Sequence, residues 1–152
     1  MHLRELLENL AGGNVIAVFH AAAVSDFRFG KIWARGATGD LRELRSGKVS
    51  TRHGTLLAEL IPNLKIIAEL RSLFPQARLV GWKYEVEGNR ASALNRAKRQ
   101  LRECLTDYCV ANGPAYGKGF GFVSDDEVAH AESQKSLFEM LESAATGAEP
   151  KE

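Results

Sequence analysis

The chain has little cysteine, almost no net charge and no long apolar run. Its two cysteines, Cys104 and Cys109, are five residues apart. They form neither a C-x-x-C pair nor a disulfide framework, which points to a reducing cytoplasm. Lys and Arg number 20 against 19 Asp and Glu, leaving +1. A balance that close speaks against a general nucleic-acid surface. No apolar run reaches the ~18 residues of a membrane span. The opening Met1-His2-Leu3-Arg4-Glu5-Leu6 is amphipathic and lacks the form of a signal peptide. What is present is ordinary for a globular chain: 152 residues, 45% hydrophobic and 26% charged. That length can bury roughly 68–70% of the unfolded surface, enough for a core without staples.

Hydrophobic spacing predicts the elements. Leu3, Leu6, Leu7 and Leu10 recur at helical intervals, giving a helix over 2–11 that stops at Gly12-Gly13. Asn14 to Ala21 is a short apolar run that suits a strand buried on both faces. Residues 24–54, with Gly36, Gly39, Gly47 and Gly54, read as a long loop with one or two short strands. From Leu56 the spacing looks helical, Pro62 interrupts it, and Leu64 to Phe74 forms a helix closed by Pro75. Ala77 to Val86 reads as a strand with Gly81 inside it, where another backbone or a ligand can come close.

Asn89 to Leu105 is a basic amphipathic helix carrying Arg90, Arg96, Lys98, Arg99 and Arg102. It reads as a solvated face, because aromatics for base stacking are missing around it. Asp107 to Ala111 is a second buried strand, Asn112 to Gly119 a loop, Phe120 to Ser124 a strand, and Gln134 to Ala145 the last helix. Residues 1–145 are expected to form one domain, and 146–152 a disordered tail.

Strands alternating with helices imply an α/β fold with a mostly parallel sheet between helical layers. In such sheets ligands sit outside the carboxyl ends of the strands. That selects the tips Ala21–Asp26, Gly81–Glu85 and Ala111–Asn112. Asp26 is suited to a ribose hydroxyl or a metal ion, and Lys31 to a phosphate; each is equally a solvated loop residue. Asn112 either bonds a ligand or caps a turn. Gly117-Lys118-Gly119-Phe120-Gly121 looks like part of a phosphate loop, but it precedes a strand rather than a helix and reads as a turn. His2, His20, His53 and His130 show no zinc-ligand spacing, and His20 lies in an apolar run.

The block Phe19-His20-Ala21-Ala22-Ala23-Val24-Ser25-Asp26-Phe27 resembles the phosphopantothenate–cysteine ligase (phosphopantothenoylcysteine synthetase) family. The likeness continues through Lys31-Ile32, Pro62 with Lys65-Ile66-Ile67, Leu79 to Glu85 (LVGWKYE), Asn95 to Lys98, and Asp107 to Asn112 (DYCVAN), over about residues 3–142. It implies a Rossmann-like three-layer sandwich, matched here over its C-terminal portion and without the Gly-rich phosphate-loop unit at the family's start. The implied reaction belongs to coenzyme A biosynthesis. CTP or ATP, with Mg2+, activates the carboxylate of 4′-phosphopantothenate, and the amine of cysteine then attacks.

Carried over by position, Lys31 and Asn112 would be catalytic. Ala22, Asp26, Phe27, Gly81 and Lys83 would line the nucleotide site, with Asp26 orienting the metal. The partners implied are phosphopantothenate, cysteine, an N-terminal ligase half or chain, and a second copy in a homodimer, with no nucleic acid and no membrane. Two departures stand out. Gln100 and Cys104 fall where the fused bacterial form carries lysines, and the loop after Asp26 is short and lacks further lysines. The missing phosphate-loop unit keeps a rival reading open: a non-catalytic nucleotide- or pantothenate-binding module that regulates or assembles with a partner chain.

Overall fold

The computed structural model describes residues 3–45, 50 and 54–147. The start of the first expected helix, His2, Gly47, His53 and the tail beyond Gly147 lie outside the described residues. The described chain divides into two compact units, Met1–Ala22 with Ile66–Glu152, and Ala23–Lys65.

The first unit is α/β. Its sheet runs in the order β1-β5-β6-β7-β8. Strands β1 (Ala17–His20), β5 (Arg78–Tyr84) and β6 (Tyr108–Asn112) are mutually parallel. Strands β7 (Phe120–Val123) and β8 (Val128–Ala131) extend the sheet antiparallel. The pleat alternates Leu79, Cys109 and Ala111 to one face and Val80 and Val110 to the other. Helices α1 (Leu3–Leu10), α2 (Ile66–Leu73) and α3 (Arg90–Cys104) supply the core of the first face through Leu7, Leu70, Ala93, Ala97 and Leu101. Helix α4 (Gln134–Thr146) covers the second through Leu137 and Leu141. The three-layer α/β expectation is therefore met.

Strand β1 is shorter than expected, and none of its residues is fully buried. It is an edge strand, paired within this sheet to β5 alone, and its Phe19 is exposed, so it is not buried on both faces. The β8 strand escaped the sequence reading. It offers four residues with only Ala131 buried, too little pattern to register.

Helix ends follow side-chain chemistry. Asn89 accepts from Ser92 N and Ser92 Oγ accepts from Asn89 N, a reciprocal cap that starts α3. Ser133 and Ser136 repeat the device at α4. At its C-terminal end α3 closes on Leu105, whose φ of 53° lies in the left-handed region. Arg71 holds that corner, donating to Leu105 O at 3.1 Å, Ala77 O at 2.9 Å and Asp107 Oδ2 at 2.7 Å.

The second unit is an antiparallel sheet in the order β3-β2-β4, built from β2 (Phe27–Arg35), β3 (Leu41–Glu43) and β4 (Leu56–Pro62). Two expectations change here. The stretch expected as a long loop with one or two short strands holds two, the three-residue β3 and a β2 that runs to nine residues. Leu56–Pro62 is a strand rather than the start of a helix. Leucines at 56, 57 and 60 with Ile61 suit either period over so short a run. Pairing to Ala34, Trp33, Leu60–Phe29 and Arg28 across the strands decides it. Pro62 ends the strand, where its missing N–H costs no internal ladder bond.

Candidate functional site

In the first unit the carboxyl ends of β5 and β6 carry the polar groups. Glu85, just past β5, is a buried carboxylate, 7% exposed. Its Oε1 lies 3.6 Å from Lys83 Nζ, and its Oε2 is paired with Arg96 of α3. A buried carboxylate needs such partners, because an unpaired charge there would be costly. Glu85 N donates to Asn112 O at 2.8 Å, and Ala115 N donates to Glu85 O at 3.0 Å, so this residue also binds the turn that follows β6. Gly113 has φ 107°, and a Cβ there would lie 2.5 Å from Glu85 O. Only glycine permits this approach.

Asn112 stands at the end of β6. Its side-chain oxygen is shielded from solvent and has no hydrogen-bond partner. An acceptor left so costs about 1–3 kcal/mol. Asn112 borders an open depression of about 650 Å³ with Tyr84, Gly113, Lys118, Phe120 and Ser133. Gly117 and Gly119, at φ 92° and 78°, shape its rim as the turn expected before β7.

The sequence-selected residues fall in both units. Ala22, Gly81, Lys83 and Asn112 belong to the first. Ala22 is exposed beyond β1. Gly81 is buried inside β5, and the room beside it is filled by this chain's own side chains: a Cβ would lie 2.6 Å from Gln100 Nε2 and 2.7 Å from Ile67 Cδ1. Gln100 also donates to Trp82 O at 3.3 Å. Lys83 is half-buried and faces Glu85.

Asp26, Phe27 and Lys31 belong to the second unit. Asp26 is exposed, and its backbone oxygen accepts from Asn63 N at 2.8 Å. Phe27 opens β2, half-exposed, beside Ser25, whose Oγ donates to Phe27 O at 2.6 Å. Lys31 lies within β2, not on a loop. Its ammonium is 3.7 Å from Glu43 Oε2, and its amide donates to Glu59 Oε2 at 3.1 Å.

Among the described residues no group of three or more His, Cys, Asp and Glu side chains could hold a metal. A single carboxylate such as Asp26 still fits Mg2+ chemistry, in which one or two carboxylates and the substrate's own phosphates complete the shell.

Both cysteines are buried. Burial pushes the Cys109 thiol up to about 12, against the opposing pull of Lys83 and with a further push from Cys104. Burial lowers His20 below the usual histidine value.

Several contributors carry no sequence signal that marks them as site residues. Glu85 sat in a quoted block, yet nothing in its spacing marked it as buried. Arg96 was read as part of a solvated face but ties α3 to Glu85. The neighbouring basic residues are also engaged: Arg102 pairs with Asp125 at 3.0 Å and Arg99 with Glu103 at 3.8 Å.

No family model matches the chain, and no curated protein matches it. Solved structures do. The DNA/pantothenate metabolism flavoprotein from Streptococcus pneumoniae is similar with a TM-score of 0.76 and 16% identity, over 98% of this chain and 71% of that one. The C-terminal domain of the coenzyme A biosynthesis bifunctional protein CoaBC is similar with a TM-score of 0.59 and 20% identity, over 95% of this chain and 62% of that one. A Cab2 mutant in complex with phosphopantothenate-cysteine gives 0.63 and 20%, over 96% and 48%.

This chain has their fold. It spans between about half and seven tenths of the length of these three structures. Among the described residues no helix is long and apolar enough to cross a membrane.

Proposed function

We propose that the chain is the C-terminal part of a phosphopantothenate–cysteine ligase, acting in coenzyme A biosynthesis. The observation that carries this reading is the shared fold, over nearly the whole chain, with a protein bound to phosphopantothenate-cysteine. The ordered blocks from Phe19 to Asn112 support it independently.

In the reaction, a carboxylate oxygen of 4′-phosphopantothenate attacks the α-phosphorus of CTP or ATP and pyrophosphate leaves. The cysteine amine then attacks the acyl carbon, forms the amide and expels the nucleoside monophosphate. Both steps bring anions together, so positioned cations lower the barrier and juxtaposition removes entropic cost. Mg2+, when bound with the nucleotide, neutralises phosphate charge.

Of the chain's own groups, Lys31 is the one we assign to the phosphates, leaving Glu43 as the triphosphate arrives. Asp26 takes the ribose or the metal, and Phe27 and the Ala22 backbone the base. Asn112 donates or accepts at the ligand in the depression beside β6. Lys83, shared with Glu85, supplies positive charge at the tip of β5, and Gly81 keeps that strand closely packed. A nucleotide-binding N-terminal half, in this or another chain, completes the enzyme, and a homodimer is the assembly we expect.

Calorimetric titration tests the reading. We expect saturable binding of phosphopantothenate, and of CTP or ATP with Mg2+. Lys31→Ala should weaken triphosphate binding about tenfold, the order of one charge-assisted contact. Unchanged triphosphate affinity in that variant would remove Lys31 from its role.

One observation favours the rival module. Lys31 and Lys83 both sit against carboxylates of this chain, at 3.7 and 3.6 Å. Tight binding without pyrophosphate release, even beside a nucleotide-binding half, would select it.

A further inference from the structure

Three side chains from separate segments meet behind the glycine turn of the first unit. Arg90 opens α3, Tyr116 lies inside the turn between β6 and β7, and His130 lies in β8. Arg90 Nη2 is 2.7 Å from Tyr116 Oη and 2.7 Å from His130 Nδ1. Tyr116 Oη is 2.9 Å from the same Nδ1. The guanidinium also lies 4.4 Å from the centre of the Tyr116 ring. Tyr116 is only 3% exposed, and the turn around it bonds to itself through Tyr116 N and Gly117 N, both donating to Gly113 O. A Cβ at Gly119 would lie 2.6 Å from His130 Cε1, so the imidazole also braces the far end of the turn.

We infer that Arg90 and His130 act through Tyr116 as positioning residues for the Gly113–Gly119 turn, and that a proton on His130 releases it. The chemistry is a matter of donor count. Arginine only donates, so a nitrogen 2.7 Å from Arg90 Nη2 has to accept, and an imidazole nitrogen accepts only when it carries no proton. The contacts therefore assign the neutral Nε2–H form of His130. A proton on Nδ1 sets an N–H against the Arg90 N–H and a cation against a cation. Tyr116 Oη can still accept from both, but the Arg90–His130 bond is lost and two cations stand 2.7 Å apart at the edge of the turn.

Among the described residues no carboxylate pairs with His130; Lys118 of the turn and Glu132, just past β8, line the depression instead. His130 pairs across β7 with Gly121, which has no side chain. On the α3 side the charged group facing it is Arg90 itself, with the phenol of Tyr116 from the turn. Helix α4 packs on the opposite face, where Ala131 points, and its Lys135 and Glu139 are paired with each other at 3.9 Å.

The turn forms one wall of the depression at Asn112. The consequence for phosphopantothenate rests on the ligase reading; the behaviour of the turn does not. Amide hydrogen exchange of residues 113–119, corrected for intrinsic rates and measured without ligand from pH 8 to pH 5.5, reads the turn directly. We expect protection to fall about tenfold across that range in the native protein. In His130→Gln, which keeps an acceptor but does not titrate, protection should stay level. Tyr116→Phe keeps the packing and removes the hydroxyl, and should lower protection at pH 8 while flattening its pH dependence.

Equal protection at both ends of the range in the native protein would overturn the inference. So would an unchanged pH dependence in His130→Gln. Phosphopantothenate titrations over the same range separate the two proposals. A turn that loosens as stated, with no binding at any pH, supports the positioning role and counts against the ligase reading alone.

Discussion

The two sheets of this chain bury their apolar residues in opposite measure. In the five-stranded sheet Leu79, Val80, Cys109, Val110 and Val123 are fully buried, with helical layers on both faces. In the three-stranded sheet Ala34 is the one buried hydrophobic residue among those described, while Phe29 is 72% and Leu60 56% exposed. A sheet with neither face filled by its own unit's side chains contributes little hydrophobic stabilisation. The first unit therefore holds the fold, and the second carries exposed side chains, Asp26 just before β2 and Lys31 within it, on a sheet that owns little core.

The sharpest way to break that contrast is a matched pair of truncations. Leu79→Ala should cost about 2–5 kcal/mol, the range for a buried leucine in a filled core. Leu60→Ala should stay within about 0.5 kcal/mol. Denaturant unfolding measures both, and equal losses would mean the second sheet is far better packed than its exposure shows.

Ion pairs sharpen the comparison next. Glu85→Gln leaves Arg96 and Lys83 facing an amide at a buried position, and should cost about 1–3 kcal/mol by the same unfolding measurement. Glu43→Gln in the second unit removes an exposed partner of Lys31 and should cost less than about 1 kcal/mol.

Backbone strain gives a smaller effect of opposite sign in the two units. Leu105 sits at φ 53° and is mostly exposed, so Leu105→Gly should raise stability by up to about 1 kcal/mol. Gly39, at φ 90° in open space, should lose about 1 kcal/mol as Gly39→Ala. Thermal unfolding resolves both.

The smallest effect is a pH dependence at β1. Burial lowers His20, so the unfolded chain binds its proton more readily than the folded one. Its contribution to stability is complete above the ordinary histidine value of about 6.5 and is lost as pH falls through the lowered folded value. His20→Gln should flatten the unfolding free energy over that window by a fraction of a kcal/mol, since the residue is only half-buried.

The same contrast explains what could be read from the sequence. Strands β5 and β6 and helices α3 and α4 were legible because each has a continuous apolar pattern serving a core: LVGW and YCVA for the strands, Ala93-Ala97-Leu101 and Leu137-Leu141 for the helices. The second sheet was not. Its apolar residues face outward as often as inward, so Phe27–Arg35 shows no clean alternation and Leu56–Pro62 fits two periods. At the candidate site the strand tips and Asn112 were reachable from topology and resemblance. The Glu85–Arg96 pair and the Arg90–Tyr116–His130 cluster were not, because they join residues 11 to 40 apart that no local spacing connects.

Pyrophosphate release is the measurement that decides the proposed ligase chemistry. The chain is mixed with a nucleotide-binding half in trans, Mg2+, phosphopantothenate and CTP or ATP, first without cysteine and then with it. The account predicts pyrophosphate that requires phosphopantothenate, a single turnover before cysteine is added, and continuous release afterwards. Both substrates bound with no pyrophosphate from either nucleotide would contradict it.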